Sequence, residues 1–256
     1  MFRSKLVLPF PLLIIFLTSV EPKCPKTCDL ALASYNVWPG ATLTFISNYV
    51  FAQTINETLS YNPQITNENY ILSGFRINVP FTCDCIGGEF LGHVFRYRVQ
   101  SGDDSYDVIA ETYYANLTTA AWLEGFNVYG PGQIPANAVV NVTVNCSCGD
   151  AAVSRAYGLF VTYPLGVGDS LESIAAAENV SEAILQRYNP GVDFSAGSGL
   201  VYIPGRDESG NYPPLELESR TGFRSGQLWN RLNVDLLNYS DTTTYMDDYL
   251  ELFLLL

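Results

Sequence analysis

The chain has 256 residues, a formal net charge of −13 and a hydrophobic fraction of 48%. This apolar content is too high for a disordered chain, and the acidic balance excludes nucleic acid and anionic lipid as natural partners because phosphate repels it. Charged residues make up only 15% of the chain, whereas it holds 17 tyrosines and 14 phenylalanines. A surface of this kind suits a neutral, hydroxyl-rich ligand.

The first 22 residues have the layout of an export signal. Arg3 and Lys5 precede an apolar run over residues 6–17, and small and polar residues follow it. The run is shorter than the ~20 residues that a membrane span needs, and two prolines interrupt it. The sequence therefore predicts a cleaved signal peptide over residues 1–22 and an extracellular mature chain, with a retained membrane anchor as the alternative.

Six cysteines stand in three close pairs: Cys24/Cys28, Cys83/Cys85 and Cys146/Cys148. In an exported chain such an even number predicts three disulfides. Partners two residues apart on an extended segment face the same way and rarely bridge, which leaves about eight of the roughly 15 connectivities. Zinc is the alternative, but the Cys-x-Cys spacing is short for it and His93 is the only histidine, so we expect no metal.

Asn-x-Ser/Thr sequons also agree with export. They predict a glycosylated surface with N-linked glycans at Asn56, Asn116, Asn141, Asn145 and Asn179, and a sixth sequon lies at Asn238.

Between the cysteine pairs the chain repeats one order of elements, strand–helix–helix–strand. The first stretch follows it loosely, with strands predicted over 30–35 and 76–79 and helices over 43–50 and 55–60. In the second stretch the strands are predicted over 94–99 and 139–144, and the helices over 106–114 and 120–126, after the caps Thr118 and Thr119.

The third stretch shows the pattern most clearly. Strands are predicted over 159–163 and 200–203, and helices over 171–177 and 182–188. Asp169-x-x-Glu172 predicts a capping box for the first helix, and Ser181 caps the second. The predicted fold class is α+β.

These repeats resemble LysM modules. The pieces Gly-Asp-Ser, Leu-x-x-Tyr-Asn-Pro and Ile-Pro-Gly carry the resemblance. Three such repeats divided by Cys-x-Cys pairs are similar to the ectodomains of plant LysM receptor-like kinases, that is, chitin elicitor receptor kinases and Nod-factor receptors. The matching stretches cover residues 28–35, 83–95, 114–119, 140–149 and 157–164.

The resemblance implies three tandem LysM modules of βααβ form over 24–82, 93–145 and 157–205, packed together by three disulfides. It implies the pairs Cys24–Cys85, Cys28–Cys148 and Cys83–Cys146. His93 falls inside a family stretch, which makes a structural role our interpretation of it.

The resemblance also implies a chitin site in the second module, between its two groove loops. One wall holds Gln100, Gly102, Asp103 and Asp107, and the other holds Tyr129, Gly130, Pro131 and Ile134. In this hypothesis Asp103 or Asp107 accepts hydrogen bonds from the sugar, glycines expose the backbone, and Tyr129, Pro131 and Ile134 contact acetyl methyl groups. Ser105 is interpreted as a helix cap.

The tail over 206–256 departs from the family, whose members continue into a membrane helix and a kinase. It lacks an apolar span, a glycine-rich nucleotide loop and a His-Arg-Asp motif, and no lysine follows Lys26. The sequence therefore predicts a poorly ordered tail, no catalytic activity and no cofactor. A lipid anchor is the alternative, although five apolar residues are fewer than the ~10–20 of that signal.

We expect an extracellular receptor part that binds chitin oligosaccharides in immunity or symbiosis and pairs with a copy of itself or another LysM receptor. A lipochitooligosaccharide receptor fragment or a secreted decoy is the alternative. A glycan hydrolase that uses LysM modules for attachment is the third hypothesis, but the Asp-x-Asp-x-Glu run of many chitinases is absent from the sequence.

Overall fold

The computed structural model describes residue 24 and residues 26–100 and 105–216. In this part of the chain the order strand–helix–helix–strand occurs three times, and we number the three units in chain order. The predicted signal peptide and residues 217–256 of the predicted tail lie outside the described residues.

Each predicted strand and helix of the three repeats has a counterpart. The first unit consists of β1 (Cys28–Asn36), the π-helix π1 (Phe45–Val50), α1 (Ile55–Ser60) and β2 (Arg76–Ile86). The second consists of β3 (Phe90–Arg98), the π-helix π2 (Val108–Tyr113), α2 (Ala120–Phe126) and β4 (Val139–Asn145). The third consists of β5 (Phe160–Pro164), α3 (Leu171–Glu178), α4 (Glu182–Tyr188) and β6 (Leu200–Pro204).

The strands form a six-stranded sheet in the order β4-β3-β2-β1-β5-β6. The two strands of each unit pair antiparallel, as do β2 and β3, whereas β1 and β5 run parallel. The sequence predicts the two strands of each unit. Their union into one sheet depends on contacts between distant segments, for which the repeat pattern carries no signal.

The first helices of units one and two close with wide turns in place of regular α-helical ones. The N–H of Phe51 donates to the carbonyl of Ile46 at 3.1 Å, and the N–H of Tyr114 donates to that of Ile109 at 2.9 Å. The left-handed residues Ala52 and Ala115 follow at once and turn the chain toward the second helix. A helical periodicity of apolar residues does not distinguish these five-residue turns from α-helical ones.

An asparagine ties the second helix of each unit to its closing strand. Its side-chain amide donates to the carbonyl four residues earlier and to a carbonyl of the closing strand, and it accepts that strand's N–H. The three residues are Asn62, Asn127 and Asn189. This shared contact fixes where the loop between helix and strand begins in every unit.

The cap of α3 differs from the prediction. The hydroxyl of Ser170 accepts the N–H of Ser173 at 3.1 Å, so the capping box starts one residue later than the predicted one at Asp169. The carboxylate of Asp169 instead accepts the N–H of Gly166 at 2.7 Å. Aspartate and serine cap equally well, so the sequence alone does not decide which of these two adjacent residues caps α3. The geometry of the turn decides it.

Three disulfides staple the sheet. They join Cys24 to Cys85, Cys28 to Cys148 and Cys83 to Cys146, with Cα atoms 5.8, 5.6 and 5.9 Å apart. These are the pairs that the family resemblance implies. The second and third connect the first two strands to the segment that follows β4, so they tie the first unit to the second.

Buried apolar side chains form two groups. The main core combines residues of the first and second units, whereas the third unit has a core of its own, to which β1 contributes Leu32. Beyond β6, the chain returns to the third unit: the N–H of Leu215 donates to the carbonyl of Arg155 at 3.0 Å, and Leu215 is buried. The described start of the predicted tail therefore packs on this unit.

Candidate functional site

The groove predicted in the second unit lies where β3 ends and β4 begins. The N–H of Val99 donates to the carbonyl of Ala138 at 2.9 Å, which brings the loop after β3 beside the loop before β4. The same bond occurs in unit one, from Val37 to Phe75, and in unit three, from Leu165 to Gly199. Each unit thus presents two neighbouring loops at one end.

The loop before β4 is a neutral, glycine-bearing turn. The N–H of Gln133 donates to the carbonyl of Gly130 at 3.0 Å, and Pro131 between them is exposed. Gly132 has a φ of +69°, which disfavours any residue with a side chain. The turn therefore has two positions, Gly130 and Gly132, at which the backbone carries no side chain of its own.

Tyr129 is held at the start of this turn. It is half-buried against the main core, and its carbonyl accepts a hydrogen bond from the hydroxyl of Tyr106 at 2.9 Å. Burial raises the pKa of Tyr106, with smaller contributions from Glu124 and Tyr129. Tyr106 follows the loop after β3, so its hydroxyl links the two sides of the groove. The sequence predicts Tyr106 in a helix, directly after the Ser105 cap. It carries no other signal that the hydroxyl bonds to the opposite loop.

Ile134 is placed differently from the predicted wall of acetyl contacts. It is 5% exposed and belongs to the main core. Burial in the adjacent core removes the apolar surface of this isoleucine from water. Ile134 thus anchors the loop from beneath, and little of its surface is open to a ligand.

The loop after β3 is described only at its ends. Gln100 is exposed and its amide donates to the carbonyl of Arg98 at 2.7 Å, whereas Gly102 and Asp103 lie outside the described residues. Asp107 is exposed and its carboxylate caps no helical N–H. The hydroxyl of Ser105 accepts the N–H of Val108 at 3.3 Å, which agrees with the capping role predicted for it.

The described sequons differ in accessibility. Asn56, Asn116, Asn141 and Asn179 are exposed, whereas Asn145 is half-buried and its side-chain oxygen is inaccessible to solvent. Asn116 and Asn179 both occupy left-handed turns between the two helices of a unit, at the end away from the groove loops. Glycans there remain a prediction.

Two clusters outside the groove contain side chains that could bind a metal or carry a charge. The sulfur atoms of Cys28, Cys83 and Cys148 lie within 4.8 Å of one another, but each is in a disulfide, so this cluster offers no thiolate to a metal. His93 lies 3.2 Å from the carboxylate of Asp84 and packs against Phe95, with ring centroids 4.5 Å apart. These contacts connect β2 and β3, in agreement with a structural role.

Comparison with known proteins adds to this geometry. A family model described as a LysM domain matches residues 161–204, which is most of the third unit. The solved ectodomain of a receptor-like kinase is 47% identical, with a TM-score of 0.73, and this chain covers 100% of it and aligns over 76% of its own length. The solved LYK3 ectodomain is 49% identical, with a TM-score of 0.72 and coverages of 100% and 78%.

The chain belongs to the LysM receptor-like kinase ectodomain family. Its relatives include LysM domain receptor-like kinase 3 of Medicago truncatula, 49% identical over 84% of this chain and 36% of that protein. Chitin elicitor receptor kinase 1 of Arabidopsis thaliana is 46% identical over 88% of this chain and 37% of that protein. This LysM chain thus spans little more than a third of their length. Among its described residues, none of the helices is long and apolar enough for a bilayer span.

Proposed function

We propose that the chain is the extracellular, ligand-binding part of a plant LysM receptor kinase and that its second unit binds chitin oligomers. The carrying observation is the turn around Gly130 and Gly132, which exposes backbone groups beside the half-buried Tyr129. The name of the similar Arabidopsis protein, chitin elicitor receptor kinase 1, supports this ligand class.

The chemistry of chitin suits such a turn. Chitin is a neutral polymer of N-acetylglucosamine, so its acetamido groups need amide donors, carbonyl acceptors and apolar surface for the methyl groups, and no charge pair. Tyr129 and Pro131 supply the apolar contacts, and the carboxylate of Asp107 accepts hydrogen bonds from sugar hydroxyl or amide groups. Gln100, Gly102 and Asp103 complete the opposite wall in this proposal.

The module binds the oligomer and does not cleave it. All the helices and strands of the described residues belong to the three βααβ units, which we interpret as three LysM modules. In this proposal the receptor acts as a homodimer or as a hetero-oligomer with another LysM receptor. The role is chitin-triggered immunity or symbiotic signalling.

A lipochitooligosaccharide is the second candidate ligand. A cavity of about 160 Å³ lies in the first unit, in the loop between α1 and β2. Tyr70, Leu72 and Phe75 line it and are 68%, 53% and 50% exposed. Exposed apolar side chains in such a group commonly mark a binding surface, and an acyl chain is the part of this ligand that would use one.

Titration calorimetry on the secreted chain tests the proposal. Chitohexaose binds and is recovered intact, whereas the hexamer of chitosan, which lacks the acetyl groups, does not bind. Equal affinity for the two hexamers would overturn the proposed site, and cleavage products would overturn the binding-only role. Tighter binding of the acylated oligomer than of chitohexaose would favour the second ligand.

A pair of tyrosine variants locates the site. Tyr129→Ala weakens chitohexaose binding by about 1–3 kcal/mol because apolar contact is lost. The matched control is Tyr49→Ala on π1, a tyrosine that is 55% exposed and belongs to the first unit. An equal loss in both variants, or none in Tyr129→Ala, moves the site away from the second unit.

A further inference from the structure

A second, larger cleft opens between the first and second units. Its volume is about 560 Å³, within the roughly 300–1,000 Å³ range of ligand-binding pockets. Its walls include Pro80–Thr82 of β2 and His93–Arg96 of β3, and the buried rings of Phe51, Phe81 and Phe95 lie beneath. None of the proposed sugar-binding residues lines it.

The cleft exists because β2 and β3 diverge. Their ladder runs only from Ile86 paired with Phe90 to Asp84 paired with Gly92. Beyond that point β2 continues along β1 and β3 continues along β4. The inner edges of the two strands therefore face each other across the cleft.

The alternating direction of the backbone N–H and C=O groups along β3 shows which of them face the cleft. In an antiparallel strand the N–H and C=O of one residue point to one side, and those of the next residue point to the other. The carbonyl of Leu91 accepts the N–H of Cys146 at 3.2 Å, on the β4 side. Val94 and Arg96 are three and five residues further on, so their N–H and C=O groups point into the cleft.

The first unit shows what this edge looks like when it is covered. β1 occupies in unit one the place that β3 has in unit two, and β5 pairs along its outer edge at Leu32 and Ala33. Within the described residues, no strand pairs with the corresponding edge of β3 after Gly92. An open edge of this kind is a template for an added strand.

The charges at the cleft select the partner. Asp29, Glu57 and Glu208 line it, against Arg96. Glu57 is fixed by the capping box, in which its carboxylate accepts the N–H of Thr54 at 2.8 Å, and these hydrogen bonds lower its pKa. A second copy of this chain, with a net charge of −13, would bring more of the same charge.

We propose that this cleft binds an extended polypeptide segment of a partner protein. The segment adds as a short strand to the edge of β3 at Val94 and Arg96, and it directs lysine or arginine side chains toward Asp29, Glu57 and Glu208. This contact is separate from sugar binding, so the chain holds its oligosaccharide and its partner segment at different sites.

The probe is a short blocked peptide that alternates lysine and threonine, titrated onto the secreted chain. We expect binding that weakens as salt rises, and amide NMR shifts centred on Val94 and Arg96. The same peptide with every amide nitrogen methylated does not bind, because neither of its edges can donate to β3. Equal binding of the methylated peptide would contradict strand addition.

Two sets of variants test the edge and the charges. Val94→Pro removes an inward-facing N–H and no bond to β4, and we expect binding at least about tenfold weaker with chitohexaose binding retained. Glu57→Gln with Glu208→Gln weakens peptide binding about threefold to tenfold, and glutamine retains the capping box at Glu57. The matched control, Glu172→Gln with Glu182→Gln on the third unit, leaves binding unchanged. An equal effect of both double variants would show a non-specific charge effect and overturn the proposal.

Other occupants give distinct results. Displacement of the peptide by saturating chitohexaose would show that the cleft is a sugar site. Binding of the peptide only to Asn56→Gln would show that a glycan on α1, next to Glu57, fills the cleft. Either result overturns the proposal and leaves the proposed chitin site to its own tests.

Discussion

The third unit differs from the first two in the form of its first helix. α3 is an eight-residue α-helix that Ser170 caps and the left-handed Asn179 ends. π1 and π2 are six-residue π-helices, in which the N–H of the first residue donates to a hydroxyl three residues earlier, from Phe45 to Thr42 and from Val108 to Ser105. The LysM family model matches residues of this third unit. The unit with the regular α-helix is therefore also the unit that has a separate core.

The π-helices end where the first two units meet. The hydroxyl of Tyr35 in unit one donates to the carbonyl of Tyr113 at the end of π2, at 3.0 Å. The hydroxyl of Tyr114 in unit two donates to the carbonyl of Val50 at the end of π1, at 2.6 Å. Carbonyls at the end of a helix have no partner within the helix. Each of the two units therefore supplies a tyrosine hydroxyl to a carbonyl at the end of the other unit's π-helix. Units one and two therefore share one core, whereas unit three has a core of its own and joins unit one through Leu32 and the pairing of β1 with β5.

A pair of core truncations tests this division most strongly. Phe51 is buried and makes edge-to-face contacts with Tyr35, Phe95 and Tyr114, with centroids 5.0–5.6 Å apart. Phe51→Ala costs about 3–5 kcal/mol of unfolding free energy, because a cavity forms where the two units join. Hydrogen exchange followed by mass spectrometry shows faster exchange in both units.

The matched variant is Leu185→Ala in the separate core of unit three. It costs about 2–5 kcal/mol, and faster exchange stays in β5, β6 and their helices. Faster exchange confined to unit one in Phe51→Ala would break the comparison, since the first two units would then open independently.

The reciprocal tyrosine bonds have the next largest effect. Tyr114→Phe leaves the carbonyl of Val50 without its donor in a fully buried place, and it lowers the unfolding free energy by about 1–3 kcal/mol. Chemical denaturation measures the loss. Tyr49→Phe, at an exposed tyrosine next to Val50, serves as control, and an equal effect there would show that the buried bond contributes nothing.

The same tyrosines predict alkaline sensitivity. Burial raises the pKa of Tyr35 and of Tyr114 above its ordinary value of about 10. The folded state therefore holds these protons where the unfolded state releases them, so stability is complete below about pH 10 and falls as pH rises further. Denaturation between neutral pH and pH 11 should show a shallower fall in Tyr114→Phe. An unchanged slope would contradict this.

The sequence predicts the units well and their union poorly. Turn residues and caps such as Ser181 are local, so the extent of α4 follows from them. The strand predicted to end before Pro80 instead continues to Ile86 as β2, because the proline, which has no N–H, sits where β2 needs no donor toward β1. The π-helices and the cleft depend on packing between units, which a pattern within one unit does not encode.

The groove is likewise predicted in part. Glycine and proline mark the turn around Pro131 from sequence alone, whereas the role predicted for the exposed Asp107 stays a prediction. The sequence cannot show that Ile134 points into the core, because an isolated isoleucine in a loop has no periodic neighbours to reveal its direction.

The asparagine contacts compare the second and third units directly. Asn189 is 3% exposed, whereas Asn127 is half-buried, although both make the same three bonds. Asn189→Ala costs about 1–2 kcal/mol of unfolding free energy, and Asn127→Ala costs less because water replaces part of its bonding. Thermal unfolding measures both. A larger loss in Asn127→Ala would mean that burial does not set the size of this contribution.

The smallest expected effect concerns the groove itself. Tyr106 directly follows the Ser105 cap, and the corresponding residue after Ser170 in unit three is Leu171, which has no hydroxyl to hold a loop. Tyr106→Phe removes the bond to the carbonyl of Tyr129 and weakens chitohexaose binding by about 0.5–1.5 kcal/mol, since the loop must then be ordered by the ligand. Calorimetry measures the affinity, and denaturation checks that stability changes by less than the loss in Tyr114→Phe. If affinity stays unchanged while stability falls, Tyr106 only supports the core, and the second unit's loop is positioned no differently from that of the third.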